Sequence, residues 1–236
     1  MSELQQERFN DGSIVNEKEL SAPNEPHLAC VLLLDTSGSM YGAPIESLNN
    51  AVNQFKEQVC KDPISRKRID IAIIEFNSNV KVVQEFTPIS LMQPVELKAN
   101  GGTSMGAGII AAIEKVQERN QVYAKMGTPC YKPWIFMITD GEPTDDISSA
   151  RARIAERESI GKFGKLKFWA VGVPGYNEET LKSLSKRCIA LDGADFTNIF
   201  NWLSESMTII SVSQVTDNPQ LGKLPEDARF IPQELC

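Results

Sequence analysis

Apolar and polar positions along the chain fall into two alternating patterns. His27-Leu-Ala-Cys-Val-Leu-Leu-Leu34 is a near-continuous apolar run, which fits a strand buried on both faces, as in a parallel sheet. Ile45, Leu48, Val52, Phe55 and Val59 then recur at steps of three and four, which is one face of a helix. Pro44 suits the first turn of that helix. Ile69-Asp-Ile-Ala-Ile-Ile-Glu-Phe76 reads as a second strand, Asn77-Ser78-Asn79 as a turn, and Val80-Lys-Val-Val83 as a hairpin partner. Gly101-Gly102 leads to a helix holding Ile109, Ile113 and Val116. Further strands are expected at Trp134–Thr139, Leu166–Val173 and Cys188–Leu191. Between them, a helix near 146–160 carries Ile147, Ala150 and Ile154, and Asn177 can cap another through Leu181 and Leu184. Phe196, Ile199, Phe200, Leu203, Met207 and Ile210 share a face of the last helix.

Strand–helix alternation of this kind predicts an α/β fold. It is a doubly wound, mostly parallel sheet with one antiparallel edge strand near 80–83 and helices on both faces. The length of 236 residues suits one such domain with tails. The domain is expected over 27–212. Residues 1–26 hold six acids against two bases and read as a solvated acidic leader. Residues 213–236 contain Pro219, Pro225 and Pro232 and read as a tail, either loose or docked.

Ligands of doubly wound sheets bind beyond the carboxyl ends of the strands. The first strand runs into Asp35-Thr36-Ser37-Gly38-Ser39-Met40, and the central strand runs into Asp140-Gly141-Glu142-Pro143-Thr144-Asp145-Asp146. Gly101-Gly102-Thr103-Ser104 opens a helix between them. The chemistry these segments share is oxygen: carboxylates from Asp35 and Asp140, hydroxyls from Ser37, Ser39 and Thr103. An all-oxygen set suits a hard cation, Mg2+ first, with Mn2+ as the alternative. Gly38 lets the loop turn so that both serines face one ion, and Gly101 and Gly102 permit the tight backbone that brings Thr103 inward.

These five positions resemble the metal-ion-dependent adhesion site of von Willebrand factor A domains, over roughly residues 27–212. The resemblance implies that Ser37, Ser39 and Thr103 bind the ion directly, Thr103 when ligand is bound. It implies that Asp35 and Asp140 act mostly through waters. Neutral direct ligands leave the ion most of its charge, so an acidic side chain of a partner protein would complete the octahedron. Within the family, Leu32–Ile45, Ile138–Thr144 and Phe200–Ser204 are similar to bacterial proteins of tellurium-resistance gene clusters. That likeness implies a cytoplasmic stress-response or defence role, with Ser/Thr phosphatases or kinases as candidate partners.

Charge and composition narrow the alternatives. The net charge of −7 argues against nucleic acid, which needs a basic face. No apolar run is long enough to span a bilayer, and the N-terminus has no signal-peptide stretch. Five widely spaced cysteines form no CxxC pair, which favours a reducing compartment over a zinc ribbon or disulfide scaffold. A phosphatase of the haloacid-dehalogenase type needs a second aspartate two residues after the first, where this chain has Ser37. No G-x-x-x-x-G-K-[ST] loop and no G-x-S-x-G elbow is present. A metal-independent structural scaffold stays as a third reading. His27, the one histidine, opens the first strand and reads as structural. Cys30 and Cys188 read as core, Trp202 as packing, and Cys236 as an exposed thiol. Asp145 and Asp146 read as the cap of the helix that follows them. Glu142 lies near the crevice, Tyr41 and Met105 flank ligand positions as rim or packing, and Glu234 is the tail carboxylate that would occupy and inhibit the site if the tail folds over it.

Overall fold

The computed structural model describes residues 20–159 and 165–233. Seven strands form one sheet: β1 Leu28–Asp35, β2 Ile69–Phe76, β3 Val80–Pro88, β4 Trp134–Thr139, β5 Lys167–Gly172, β6 Cys188–Leu191 and β7 Ala228–Phe230. Their order is β3-β2-β1-β4-β5-β6-β7. The five central strands run parallel. β3 is antiparallel at one edge and longer than the 80–83 expected, because a register shift between Ile71 and Ile74 bends the hairpin and lets it continue to Pro88.

The opposite edge adds to the expected picture. β7 comes from the segment set apart as a tail and runs antiparallel to β6, so an antiparallel strand closes each edge, not one edge alone. Ala228-Arg229-Phe230 is too short for a period to be read. The tail is also pinned by Trp202, whose indole N–H donates to the Gly222 carbonyl at 2.9 Å.

Period-two alternation sorts the strand side chains into two cores. Leu28, Cys30, Leu32 and Leu34 face α1 (Ala43–Cys60) and α6 (Thr197–Val212). Val31 and Leu33 face the other layer: α3 (Met105–Met126), α4 (Ser148–Ser159) and α5 (Glu178–Leu184). A four-residue turn of helix, α2 (Ser65–Arg68), precedes β2. The α1 stripe Ile45, Leu48, Val52, Phe55 and Val59 is buried throughout. Phe196 is also buried, but as the residue before α6 and not within it. Cys30, Cys60, Cys130 and Cys188 are free thiols. Burial raises the Cys188 pKa to about 12, so that thiol is inert.

At the amino end of the sheet polar groups converge on one oxygen of Asp70, while its other oxygen, Oδ1, is buried without a hydrogen bond among the described residues. His27 and Asp70 are fully buried. One Asp70 carboxylate oxygen lies 2.8 Å from His27 Nδ1, 3.0 Å from Arg119 Nη2 and 2.5 Å from the donating Tyr123 hydroxyl. His27 Nε2 donates to the Ala22 carbonyl at 3.0 Å. Residues 20–26, the end of the expected leader, therefore pack against the base, with Leu20 buried on Tyr123 and Ala29 and Glu25 paired to Arg68. Residues 1–19, Glu234 and Cys236 lie outside the described residues.

Candidate metal centre

β1 and β4 are neighbours in register, Leu34 opposite Ile138, so Asp35 at the end of one strand meets Thr139 at the end of the other. The Thr139 hydroxyl donates to Asp35 Oδ2 at 2.6 Å, and the Ser37 backbone N–H donates to Asp35 Oδ1 at 2.8 Å. Asp35 is fully buried. Burial raises its pKa, the Ser37 and Thr139 hydrogen bonds pull it back, and the nearby Asp140 charge raises it further.

After Asp35 the chain makes a tight 3-10 turn, Gly38–Met40. The Gly38 N–H donates to the Gly101 carbonyl at 3.0 Å, tying the first loop to the third. This turn sets the Ser37 and Ser39 hydroxyls 3.0 Å apart, and Ser39 Oγ donates to Asp140 Oδ1 at 2.8 Å. Thr103 joins the same group: a methyl placed on Gly141 would lie 3.5 Å from Thr103 Oγ1 and 3.9 Å from Ser39 Oγ. Asp35, Ser37, Ser39, Thr103 and Asp140 are thus brought to one place. Ser39 is exposed, while the other four are buried.

Residues beyond the five hold this arrangement; of these, Gly101 is legible in the sequence and Thr144, Asn77 and Thr36 are not. Thr103 N–H donates to the Thr144 hydroxyl at 3.1 Å, and Thr144 N–H donates back to the Thr103 carbonyl at 2.9 Å. Ser104 N–H donates to the Asn77 carbonyl at 2.7 Å, and Asn77 Nδ2 donates to Thr36 Oγ1 at 3.1 Å. Gly101 has φ +69, and a Cβ there would lie 2.4 Å from Ser78 Oγ, so only glycine fits. The available signal was a cluster of Ser, Thr and Asn after strands, but their pairing needs the sheet order.

Asp145 corrects an expectation. Its two carboxylate oxygens accept from the Gly106 and Ala107 N–H groups at 3.0 and 2.9 Å. It caps α3, the helix that carries Thr103 at its head, not the α4 helix that follows it in sequence. Asp146 alone serves α4, accepting from Ser148 N–H at 2.9 Å and from its hydroxyl. Glu142 is tethered by Asn177 Nδ2 at 2.7 Å, and Asn177 also caps α5 through Thr180 N–H. Met105 is fully buried and packs; Tyr41 is 80% exposed, so core packing does not account for it.

The donor set suits a hard divalent cation. Oxygen donors converge, Ser39 is exposed, and the buried Asp35 carboxylate is held by neutral donors, the Ser37 N–H and the Thr139 hydroxyl. No cluster of three or more His, Cys, Asp or Glu residues occurs among the described residues, so a nitrogen- or sulfur-rich centre is not built there.

Comparison with known proteins gives a consistent picture. A family model described as the von Willebrand factor type A domain matches residues 30–202. A von Willebrand factor type A structure from Catenulispora acidiphila is 16% identical at TM-score 0.60, covering 78% of this chain and 43% of that one. The PilB minor pilin from Streptococcus sanguinis is 14% identical at TM-score 0.57, over 83% of this chain and 64% of that one. A mussel byssus proximal thread matrix protein, whose structure has a zinc-occupied MIDAS motif, is 15% identical at TM-score 0.52, over 78% and 48% of the two chains. This chain spans less than two thirds of each of these structures. No curated protein matches. Among the described residues no helix is long and apolar enough to cross a membrane.

Proposed function

The chain belongs to the von Willebrand factor type A domain family, and on that premise we propose that it is a Mg2+-dependent protein-interaction module. In this reading Ser37, Ser39 and Thr103 hold the ion by their hydroxyls, and Asp35 and Asp140 act from behind through waters. Mn2+ suits the same donors, and the zinc in the byssal protein's motif supports a divalent ion. A bound ion supplies a Lewis-acidic docking point for a carboxylate. The chain's own residues do the rest. Asp35 and Thr139 orient the serine loop, and Thr144 and Asp145 hold the Thr103 loop against it. The exposed Ser39 and Tyr41 offer the surface that a partner's Glu or Asp approaches. The observation that carries this reading is the continuous hydroxyl–carboxylate chain from Ser37 through Ser39 to Asp140, beside a buried Asp35 held by neutral donors.

Likeness to the tellurium-resistance branch supports a finer placement in a bacterial cytoplasmic stress-response or defence system. Ser/Thr phosphatases or kinases of that system are the candidate partners. The unpaired thiols fit a reducing compartment.

The test is a Mg2+ titration by calorimetry joined to partner capture from native extract with Mg2+ or EDTA. Wild type should bind Mg2+ and capture an acidic partner only with it. Ser39→Ala, Thr103→Ala and Asp35→Asn should lose at least tenfold in Mg2+ affinity. Undiminished Mg2+-dependent capture by Asp35→Asn overturns the proposal. Capture insensitive to EDTA would favour the metal-independent scaffold. Hydrolysis of p-nitrophenyl phosphate that is lost in Asp35→Asn would favour the phosphatase.

A further inference from the structure

A cleft of about 530 Å³ opens at the base of the sheet, at the end opposite the hydroxyl cluster. It lies where β4 and β5 begin, between Asn120 of α3 and the chain that leaves α6. Trp134 lines it but is fully buried, with Lys167 and Trp169 against its ring. The apolar surface that reaches solvent is at the mouth, where Val215 is 40% exposed and Cys130 and Pro219 are half-buried.

The charge of this cleft runs against that of the chain. Lys132, Lys165 and Lys167 line it against one acid, Asp217, on a protein of net charge −7. Asp217 itself accepts from the Gln214 N–H at 3.0 Å. Burial lowers the Lys167 pKa, and the Arg187 and Lys132 charges lower it further, which marks a positive local field. The wall also holds an unmet acceptor. Asn120 Oδ1 is buried and finds no donor among the described residues.

The described chain begins beside this cleft. Leu20 is buried in a cluster with Tyr123 and Ala29, and Cys130 packs on that cluster while also lining the cleft. The Thr128 hydroxyl donates to the Pro23 carbonyl at 2.8 Å and His27 Nε2 donates to the Ala22 carbonyl, so the chain after Leu20 is fixed at the base. An extended chain covers about 3.3 Å per residue, so the residues just before Leu20 reach the cleft. Their composition is its complement: Asp11, Glu17 and Glu19 stand against Lys18 alone, with Ile14-Val15 as an apolar pair among them. We propose that residues 11–19 of this same chain occupy the cleft. Ile14 and Val15 cover Val215 and Pro219, the acids lie toward Lys165 and Lys167, and a backbone N–H of the segment donates to Asn120. The docking is independent of the metal centre.

Carbodiimide coupling of the full chain, read by peptide mass spectrometry, tests this on an equal mixture of unlabelled and heavy-nitrogen-labelled protein. Amide links should join Asp11, Glu17 or Glu19 to Lys165 or Lys167, and both ends of each link should carry the same isotope. Links to Lys61, Lys67 or Lys125 in their place put the segment elsewhere and overturn the proposal. Links that pair the two isotopes freely make the occupant a second copy, and overturn it as well. Ile14→Ser joined to Val15→Ser keeps every acid and every lysine, and should lower the link yield at least fivefold. Val215→Ser should lower it at least twofold. Unchanged yield in both variants means that tethering alone brings the groups together, which also overturns docking. In methyl-labelled protein Ile14 should show a nuclear Overhauser contact to Val215, and the lack of both this contact and the links counts against the proposal in the same way. Asp35→Asn should leave the links and the contact unchanged, so failure here is distinct from failure of the metal reading.

Discussion

Asp35 and Asp70 sit on neighbouring strands, at opposite ends of the sheet, and both are fully buried. Their partners differ in kind. Asp70 is gripped by Arg119, His27 and the Tyr123 hydroxyl. Asp35 receives only neutral donors, the Ser37 N–H and the Thr139 hydroxyl, and looks across at a second carboxylate. A buried charge is tolerated when it is paired and hydrogen-bonded. At the base that pairing is internal, so the carboxylate is part of the fold. At the top the printed hydrogen-bond donors are neutral, and on the reading proposed above a bound cation supplies the counter-charge.

The strongest way to break this contrast is at the base. Asp70→Ala leaves Arg119 and His27 buried around a missing charge, and removing one partner of a buried pair costs about 3–5 kcal/mol. Urea unfolding should show that loss equally in Mg2+ and in EDTA. A loss present in only one of the two would mean that the base senses the metal site, and the two ends would not be separate.

Asp35→Asn should behave in the opposite way. The amide keeps the shape and removes an uncompensated buried charge, so stability in EDTA should match or exceed wild type. What disappears is the stabilisation by metal, about 2.7 kcal/mol for wild type at Mg2+ one hundred times its Kd. Thermal unfolding with and without Mg2+ reads this directly. An equal Mg2+ increment in the variant would break the comparison.

Tyr123 adds a pH signature that belongs to the base alone. Burial and the adjacent Asp70 charge raise its pKa well above the usual phenol range. An unfolded tyrosine ionises near pH 10, while the folded one keeps its proton, so this stability is fully present below about pH 10. It is lost as pH rises from there through the folded value. Tyr123→Phe should cost about 2 kcal/mol at neutral pH, the scale of a hydrogen bond to a charged group, and should flatten the alkaline decline. Denaturant midpoints between pH 8 and 11 would show it.

The legibility of the two ends from sequence differs for a physical reason. The oxygens of the candidate site follow strands directly, and each strand was a continuous apolar run, so Asp35, Ser37, Ser39 and Asp140 could be placed at strand ends without knowing the strand order. The helix faces were equally plain, since their apolar steps bury as read. The supporting groups depend on neighbours distant in sequence. Thr139 matters because β4 pairs with β1, and Thr144 because its loop folds onto Thr103. The base cluster was hidden in the same way: His27 read as structural, but Asp70 looked like one polar residue in a strand, and Tyr123 and Arg119 lay on a helix whose docking was unknown. β7 escaped because three residues carry no period.

The smallest predicted effect separates two adjacent aspartates. Asp145 caps α3 and Asp146 caps α4, although the sequence presents them as one pair. Asp145→Ala removes a cap from the helix that positions Thr103, which should cost about 1 kcal/mol. It should also weaken Mg2+ a few-fold, because the Thr103 hydroxyl is held less firmly beside Ser39. Asp146→Ala frays the start of α4, a helix that carries none of the five candidate ligands, and should leave Mg2+ affinity unchanged. Calorimetric Mg2+ titration of the two variants side by side decides it. If both weaken the ion alike, the α3 cap has no special part in shaping the site, and the top of the sheet is less finely organised than its hydrogen bonds indicate.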